Sequence, residues 1–330
     1  MSFSPLPSLT LSLIRSTPGL RVAALLATLS PLFPSPAQGQ LRETGPILLD
    51  LPASTRALSL GNAFALGFDD SDVIFYHPGD LSRAQGFSGG MQWFGSSSIL
   101  ATLSAAADWL SGGVGLGIQH LSYGAKASQP PAGSDLKALP ADVGSLRDEG
   151  DVGVSELIVS AGYGRTLKGI RVGAVGKLIS QRFGQLDGTA GAVDLGASVS
   201  PGPLTVGLSI QNLGRDLEMG GEKIPLPRSF SLGATTERAW VGPLDLAASG
   251  AVEYWEGGEV VPSLGLEVAY WPVTGRTFSG RVGVRKHPEE QSTSAFTFGA
   301  GFQGDDLVLD YAYQGFDEGH PSHRLTIGWR

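Results

Sequence analysis

The chain has 330 residues, of which only 16% are charged; it contains 48 glycines and no cysteine, and its formal net charge is −8. The lack of cysteine excludes disulfides, thiolate metal sites, cysteine nucleophiles and an acylated N-terminal cysteine, and the acidic balance gives no basic patch for nucleic acid. A charged share below the ~25% of soluble proteins, with glycine at about twice its average use, suits a wall with lipid on one side and a crowded lumen on the other.

At the N-terminus, Arg15 and Arg21 precede an apolar run from Val22 to Phe33, and Ser35-Pro36-Ala37 supplies small residues for cleavage after Ala37. This predicts a signal peptide over residues 1–37. The run is shorter than the ~20 residues a membrane helix needs, which ranks a retained anchor second, and no later stretch is long and apolar enough to be one. Residues 38–86 do not alternate. RALSLGNAFALGF, residues 56–68, reads as a short glycine-interrupted helix or a compact irregular segment; Asp69, Asp70, Asp72 and VIFYHPGDLS follow. Such backbone is tolerated at membrane depth when it is buried in protein or wetted, so this segment is expected to plug a lumen.

From Phe87 onward, apolar residues alternate with polar or small ones. Val114, Leu116 and Ile118 share one phase, as do Leu264, Leu266, Val268 and Tyr270; Asp194, Asp245, Glu253, Glu267, Arg281 and Arg285 fall on the other. Period-2 alternation means strands with one apolar face. Strands are placed at about 87–95, 98–109, 112–123, 154–164, 169–182, 191–200, 203–212, 228–237, 243–254, 262–271, 278–286, 294–303, 306–314 and 323–330, most near the ~9–11 residues of a tilted membrane strand. Inward neighbours read as Gly, Ser, Thr, Gln, Asp, Glu, Lys and Arg. Connections alternate in length: 110–111, 165–168, 201–202, 238–242, 272–277 and 304–305 are short, whereas 124–153, 183–190, 213–227, 255–261, 287–293 and 315–322 are mostly longer, with 96–97 the exception. Short periplasmic turns and longer external loops give that asymmetry. Tyr254, Trp255, Tyr270, Trp271, Tyr311, Tyr313 and Trp329 lie near strand ends, where interfacial aromatic girdles belong. A soluble propeller would show a repeat every ~40–50 residues, and none is visible.

Signals for catalysis are poor. There is no nucleophile elbow, phosphate loop or zincin motif. His320 and His323 read as loop histidines rather than a metal pair. Gly113, Gly115 and Gly117 lie inside a strand, where glycine admits close approach from the lumen rather than a dinucleotide. Asp69, Asp70 and Asp72 lack EF-hand spacing, so a turn-and-cap cluster is favoured over calcium. These carboxylates are candidates to pin the plug through Arg56, Lys177, Arg281 or Arg285; a solvated face is the alternative. The loop 124–153, with Pro130, Pro131 and Pro140, reads as disorder or as an external lid. No cofactor or metal is expected.

Three stretches carry a family resemblance. They are RALSLGNAFALGFDDSDVIFYHPGDLS (residues 56–82), AVDLGASVSPGPLTVGLSIQNLG (192–214, continued by Pro225-Leu226-Pro227), and FGAGFQGDDLVLDYAYQGFDEGHPSHRLTIGWR at the C-terminus. Their order and spacing resemble the PorV/PorQ family of outer-membrane proteins, related to FadL-type fatty acid transporters. Two departures stand out: His77-Pro78-Gly79-Asp80 replaces Asn-Pro-Ala-Gly, and Arg330 stands where a terminal aromatic is usual. The resemblance implies an all-β transmembrane barrel, FadL-like, of about fourteen antiparallel strands, with a plug over 38–86 and a wall over 87–330. It implies an exported outer-membrane protein in contact with lipid and without enzyme activity. The first functional expectation is a type IX-like secretion accessory that binds secreted cargo proteins or a secretion complex at external loops. The alternative is passive transport of apolar molecules such as long-chain fatty acids, with Leu58, Leu60, Phe64, Phe68 and Phe75 as apolar contacts and with His77 and Pro78 among the plug residues. A purely structural barrel is the third reading.

Overall fold

The computed structural model describes residues 45–63, 69–95, 98–125, 152–286, 293–316 and 321–330. The expected signal (1–37), residues 38–44, Phe64, Phe68 and most of the loop 124–153 lie outside the described residues. Among the described residues no helix is long and apolar enough to cross a membrane.

Seventeen strands form one sheet. Fourteen build the wall: β1 (Gly86–Phe94), β2 (Ser98–Trp109), β3 (Gly112–Ala125), β4 (Val152–Leu167), β5 (Ile170–Phe183), β6 (Leu186–Val199), β7 (Leu204–Gly214), β10 (Ser229–Thr236), β12 (Leu244–Trp255), β13 (Val260–Val273), β14 (Arg276–Arg285), β15 (Thr293–Gln303), β16 (Leu307–Phe316) and β17 (Ser322–Trp329). The other three are short: β8 (Leu217–Met219) and β9 (Glu222–Ile224) make a ribbon, and β11 (Ala239–Val241) adds to β12. Sequential strands pair antiparallel, and β1 closes the wall by pairing with both β2 and β17, Phe87 facing Trp329 and Phe94 facing Ser322. Closure leaves no open edge, which a sheet in hydrocarbon requires.

The alternation sorts the faces as the sequence predicts. Leu116, Leu178, Leu264, Leu266 and Ile327 are exposed outside, whereas Asp194, Glu267 and Arg281 are buried inside. The outward apolar band matches a barrel bathed in acyl chains. Several hairpins close in two residues. At Leu110-Ser111 both φ angles are positive (46° and 59°), and Lys168-Gly169 repeats this (50° and 85°); positive φ at both positions fits the right-handed twist of the flanking strands.

Three expectations need correction. The connection 183–190 is a tight turn at 184–185, because β6 begins at Leu186 and pairs along its length with β5. Trp255 is not in a lipid-facing girdle; it is buried, on the inward phase of β12. Exposed Trp109, Trp240, Trp271 and Trp329 sit at strand ends instead. Finally, the inner face is not uniformly polar: Leu100, Leu121, Ile158, Ile179, Ala190 and Ala192 point inward from β2 to β6.

Candidate functional site

Residues 45–63 and 69–85 fold into short turns packed on the inner face of the wall. A 3-10 turn spans Ile47–Leu49. Helix α1 (Thr55–Ser59) is capped by Ser54, whose side chain accepts from the Ala57 amide, an N-cap interaction. It ends at Gly61 and Asn62, both with positive φ, as helix C-termini commonly do. Two further 3-10 turns cover Ser71–Phe75 and Pro78–Ser82, the second with proline at its start. None of these turns could stand alone in water; they hold their shape against the wall.

Wall glycines form the seat. A Cβ at Gly113 would overlap the Leu81 carbonyl oxygen, one at Gly117 would lie 2.6 Å from the Phe75 ring, and one at Gly265 would lie 2.7 Å from Leu60 Cβ. The reading of Gly113 to Gly117 as a close-approach surface therefore holds in the fold.

Ionic contacts pin the segment near the end of the barrel where β1 begins and β17 ends. Arg56 reaches Asp70 at 3.3 Å and Glu267 at 3.0 Å. Glu267 also receives Arg281 at 2.6 Å and Arg238 at 2.7 Å, and Arg281 continues to Asp310 at 2.5 Å. Arg330, the last residue, pairs with Asp70. Burial raises the Asp70 pKa, but Arg330 and Arg56 outweigh it and hold the carboxyl below its usual range. Asp72 has neutral partners, the hydroxyls of Ser88 (2.5 Å) and Ser104 (2.7 Å); burial pushes its pKa up.

Of the proposed pinning pairs, Arg56–Asp70 forms directly and Arg281 joins through Glu267. The others do not form. Asp69 pairs with Arg83 within the segment, Lys177 pairs with Asp194 at 2.7 Å, and Arg285 pairs with Glu253 at 2.9 Å. Lys177 finds a carboxylate on the adjacent strand β6, and Arg285 finds one on β12, one strand beyond its neighbour β13, before either can reach the segment. Lys177 instead braces a bulge. The β6–β7 register shifts at Asp194, which accepts from the Asn212 amide at 2.8 Å, while Lys177 donates to the Asn212 side chain at 2.9 Å. This gives Asn212 of the Gln-Asn-Leu-Gly ending its role in the bulge.

Three clamps were not foreseen. Arg324 is fully buried and donates to Thr55, Gln92 and Thr102 side chains and to the Pro52 and Ala53 carbonyls. Asp80 accepts from Arg171 at 2.7 Å and Ser198 at 2.8 Å. Glu156 accepts from the Leu48 amide at 2.7 Å, the Ile47 amide at 3.3 Å, Gln181 at 2.9 Å and the Tyr123 hydroxyl at 3.2 Å. Their common signal is a charged residue on the inward phase of a strand, or beside the Pro78 turn. Within the segment, the Tyr76 hydroxyl accepts from the Ala53 and Ser54 amides, and burial pushes its pKa up to about 12. His77 Nε2 lies 3.0 Å from the Leu208 carbonyl and 3.3 Å from that of Ala197. Pro78 abuts Gly196.

At the other end, Ile47, Leu48, Leu49 and Leu51 pack on the inward apolar patch, over which β8 and β9 fold Leu217, Met219 and Ile224. Beside them is a cavity of about 50 Å³, lined by Leu48 to Leu51, Phe75, Tyr76, Trp255 and several polar side chains. That is below the ~300 Å³ of small-ligand pockets. Of the residues expected to touch an apolar ligand, Phe75 lines this cavity; Leu58 and Leu60 are buried elsewhere, Leu60 against Gly265.

No family model and no curated protein matches this chain. Solved structures do. The Pseudomonas putida toluene transporter TodX aligns with a TM-score of 0.55 at 11% identity, covering 82% of this chain and 95% of that one. A Pseudomonas aeruginosa FadL homologue gives 0.50 at 10% identity, covering 84% and 98%. A TodX mutant, described as a monoaromatic hydrocarbon channel, gives 0.50 at 12% identity, covering 82% and 96%. At these identities the likeness is one of fold: a closed, antiparallel, fourteen-stranded, FadL-like barrel. These matches lend no support to the narrower PorV/PorQ placement.

Proposed function

We propose that this chain is an outer-membrane channel for small apolar molecules, held shut by residues 38–86 acting as a plug within a wall formed by 87–330, after export through a signal at 1–37. The carrying observation is the apolar patch on the inner wall. A passage for polar solutes keeps a polar lumen, and burying inward Leu100, Leu121, Ile158 and Ile179 beneath Leu48 serves a route that apolar molecules enter. The outward band of leucine, isoleucine and valine supports a membrane setting, and the two ends of the wall, Gly86 and Trp329, on the short-turn side fit a periplasmic end. The aligned structures described as a toluene transporter and a monoaromatic hydrocarbon channel support the same reading. Nothing in the fold favours the secretion-accessory expectation, and we set it aside.

In this reading Ile47 to Leu51 occupy the apolar patch while the channel is shut. An entering molecule takes their place, and the segment moves off its glycine seat to let it through. The test is uptake of radiolabelled toluene by Gram-negative cells that lack their own hydrocarbon channel and keep an intact lipopolysaccharide barrier. Cells making this chain should take up toluene several-fold faster than cells making none. Ile158→Lys, which places a charge in the patch, should remove most of the gain while the barrel still assembles. Uptake no faster than in empty cells would overturn the proposal.

A further inference from the structure

The lumen cavity carries more hydrogen-bonding capacity than a hydrocarbon can use. Resting on the channel reading, we propose that the preferred molecule is an uncharged amphiphile: a compact apolar body bearing one hydroxyl-type head that both donates and accepts, of the kind a small phenol presents.

Gln119 and Ser209 both line the cavity and are 5% and 3% exposed. Neither side chain has a hydrogen-bond partner among the described residues. Asn62 Oδ1, on the same lining, is buried and likewise without a partner. Together they offer an amide, a hydroxyl and a carbonyl oxygen to whatever enters. Leaving a buried group such as Asn62 Oδ1 unpaired costs stability that a donor on the entering molecule restores. A site built to hydrogen-bond a hydroxyl therefore discriminates strongly against the analogue that lacks it.

The charges on the lining argue against an ionic head. Lys177 is taken by Asp194 at 2.7 Å and by Asn212 at 2.9 Å. Glu253 is taken by Arg285 at 2.9 Å. The remaining charged lining residue, Asp50, is itself an anion. A carboxylate would meet Asp50 and Glu253 with no spare cation on the lining, and an ammonium would have to compete with Arg285 for Glu253. The cavity of about 50 Å³ accepts a head group but not a ring. The ring takes the apolar surface under Leu48, Leu49 and Leu51 when that turn yields.

A tolyl series isolates the head group: p-cresol, toluene, p-toluate and 4-methylbenzylamine share one body. Titration calorimetry on the purified full chain in micelles, against protein-free micelles, should show p-cresol binding at least tenfold tighter than each of the other three. Gln119→Leu should shrink the p-cresol-to-toluene affinity ratio at least fivefold, and Ser209→Ala should shrink it in the same direction, in proteins whose heat-modifiable gel migration shows an assembled barrel. Toluene binding as tightly as p-cresol would overturn the inference while leaving the channel reading in place. So would a ratio unchanged in both variants, which would mean that water alone serves these groups. Tighter binding of either ion would overturn it by showing that a charged head is accommodated. Binding by none of the four, together with no toluene uptake, would remove both readings.

Discussion

His77 shows how the seat treats a titratable side chain. It is almost fully buried against the Ala197 and Leu208 carbonyls, and burial holds its imidazole below the ordinary 6.5, with Asp80 opposing but not overcoming the effect. Below pH 6.5 the unfolded chain binds a proton that the folded chain refuses. This contribution to stability is therefore complete above 6.5 and is lost as the pH falls toward the depressed folded value, at no more than about 1.4 kcal/mol per pH unit. Urea midpoints of the assembled barrel should fall between pH 7.5 and 5.5, and His77→Gln, which still offers a donor to the two carbonyls, should flatten that difference. An equal fall in the variant would place the titration elsewhere. Some of the residue-level picture is readable in the chain. Arg56 and Asp70 are close in sequence and do pair. Glu156 and the Leu48 amide lie 108 positions apart, and Arg324 meets Thr55 across 269; no local pattern announces such partners. The chain does show a charged residue on an inward phase, which must find partners or be expelled.

At the scale of elements, alternation carries the wall and small residues carry the seat. Strands are legible because successive side chains must face lipid and lumen in turn. The start of β6 is not, because LDGTAG, residues 186–191, contains little that alternates. The inward apolar patch leaves a trace that a simple two-face reading overlooks: Ile99-Leu100, Leu157-Ile158-Val159 and Leu178-Ile179 are consecutive apolar runs, so both faces are apolar there. The seat is testable at one glycine. Gly113→Val puts a side chain into the Leu81 carbonyl, an overpacking that typically costs about 1–3 kcal/mol. It should push the Pro78–Ser82 turn off the wall and open the chain after Arg83 to trypsin, with the barrel still heat-modifiable. Gly280→Ala, whose Cβ would meet nothing within 4 Å, should leave the digest unchanged. A wild-type digest from Gly113→Val would show that the turn does not depend on that glycine.

For the molecule as a whole, barrel and segment form one interlocked unit. Both termini of the described wall hold the segment: Gly86 leads out of it into β1, and Arg330 returns to Asp70 after β17. The unusual terminal arginine thus acquires a partner that an aromatic residue would lack. The account stands or falls on whether molecules pass by displacing the segment. The hydroxyls of Thr55 and Thr326 are 2.6 Å apart, and the chain has no native cysteine, so Thr55→Cys with Thr326→Cys brings the two thiols of a segment-to-wall lock together, its closure checked by thiol titration. The deciding measurement is toluene uptake by cells carrying this double variant, before and after reduction. The account predicts uptake near that of empty cells while the disulfide is intact, recovering to the wild-type rate once it is reduced. Equal, fast uptake in both states would show that the segment does not gate the passage and would contradict the account.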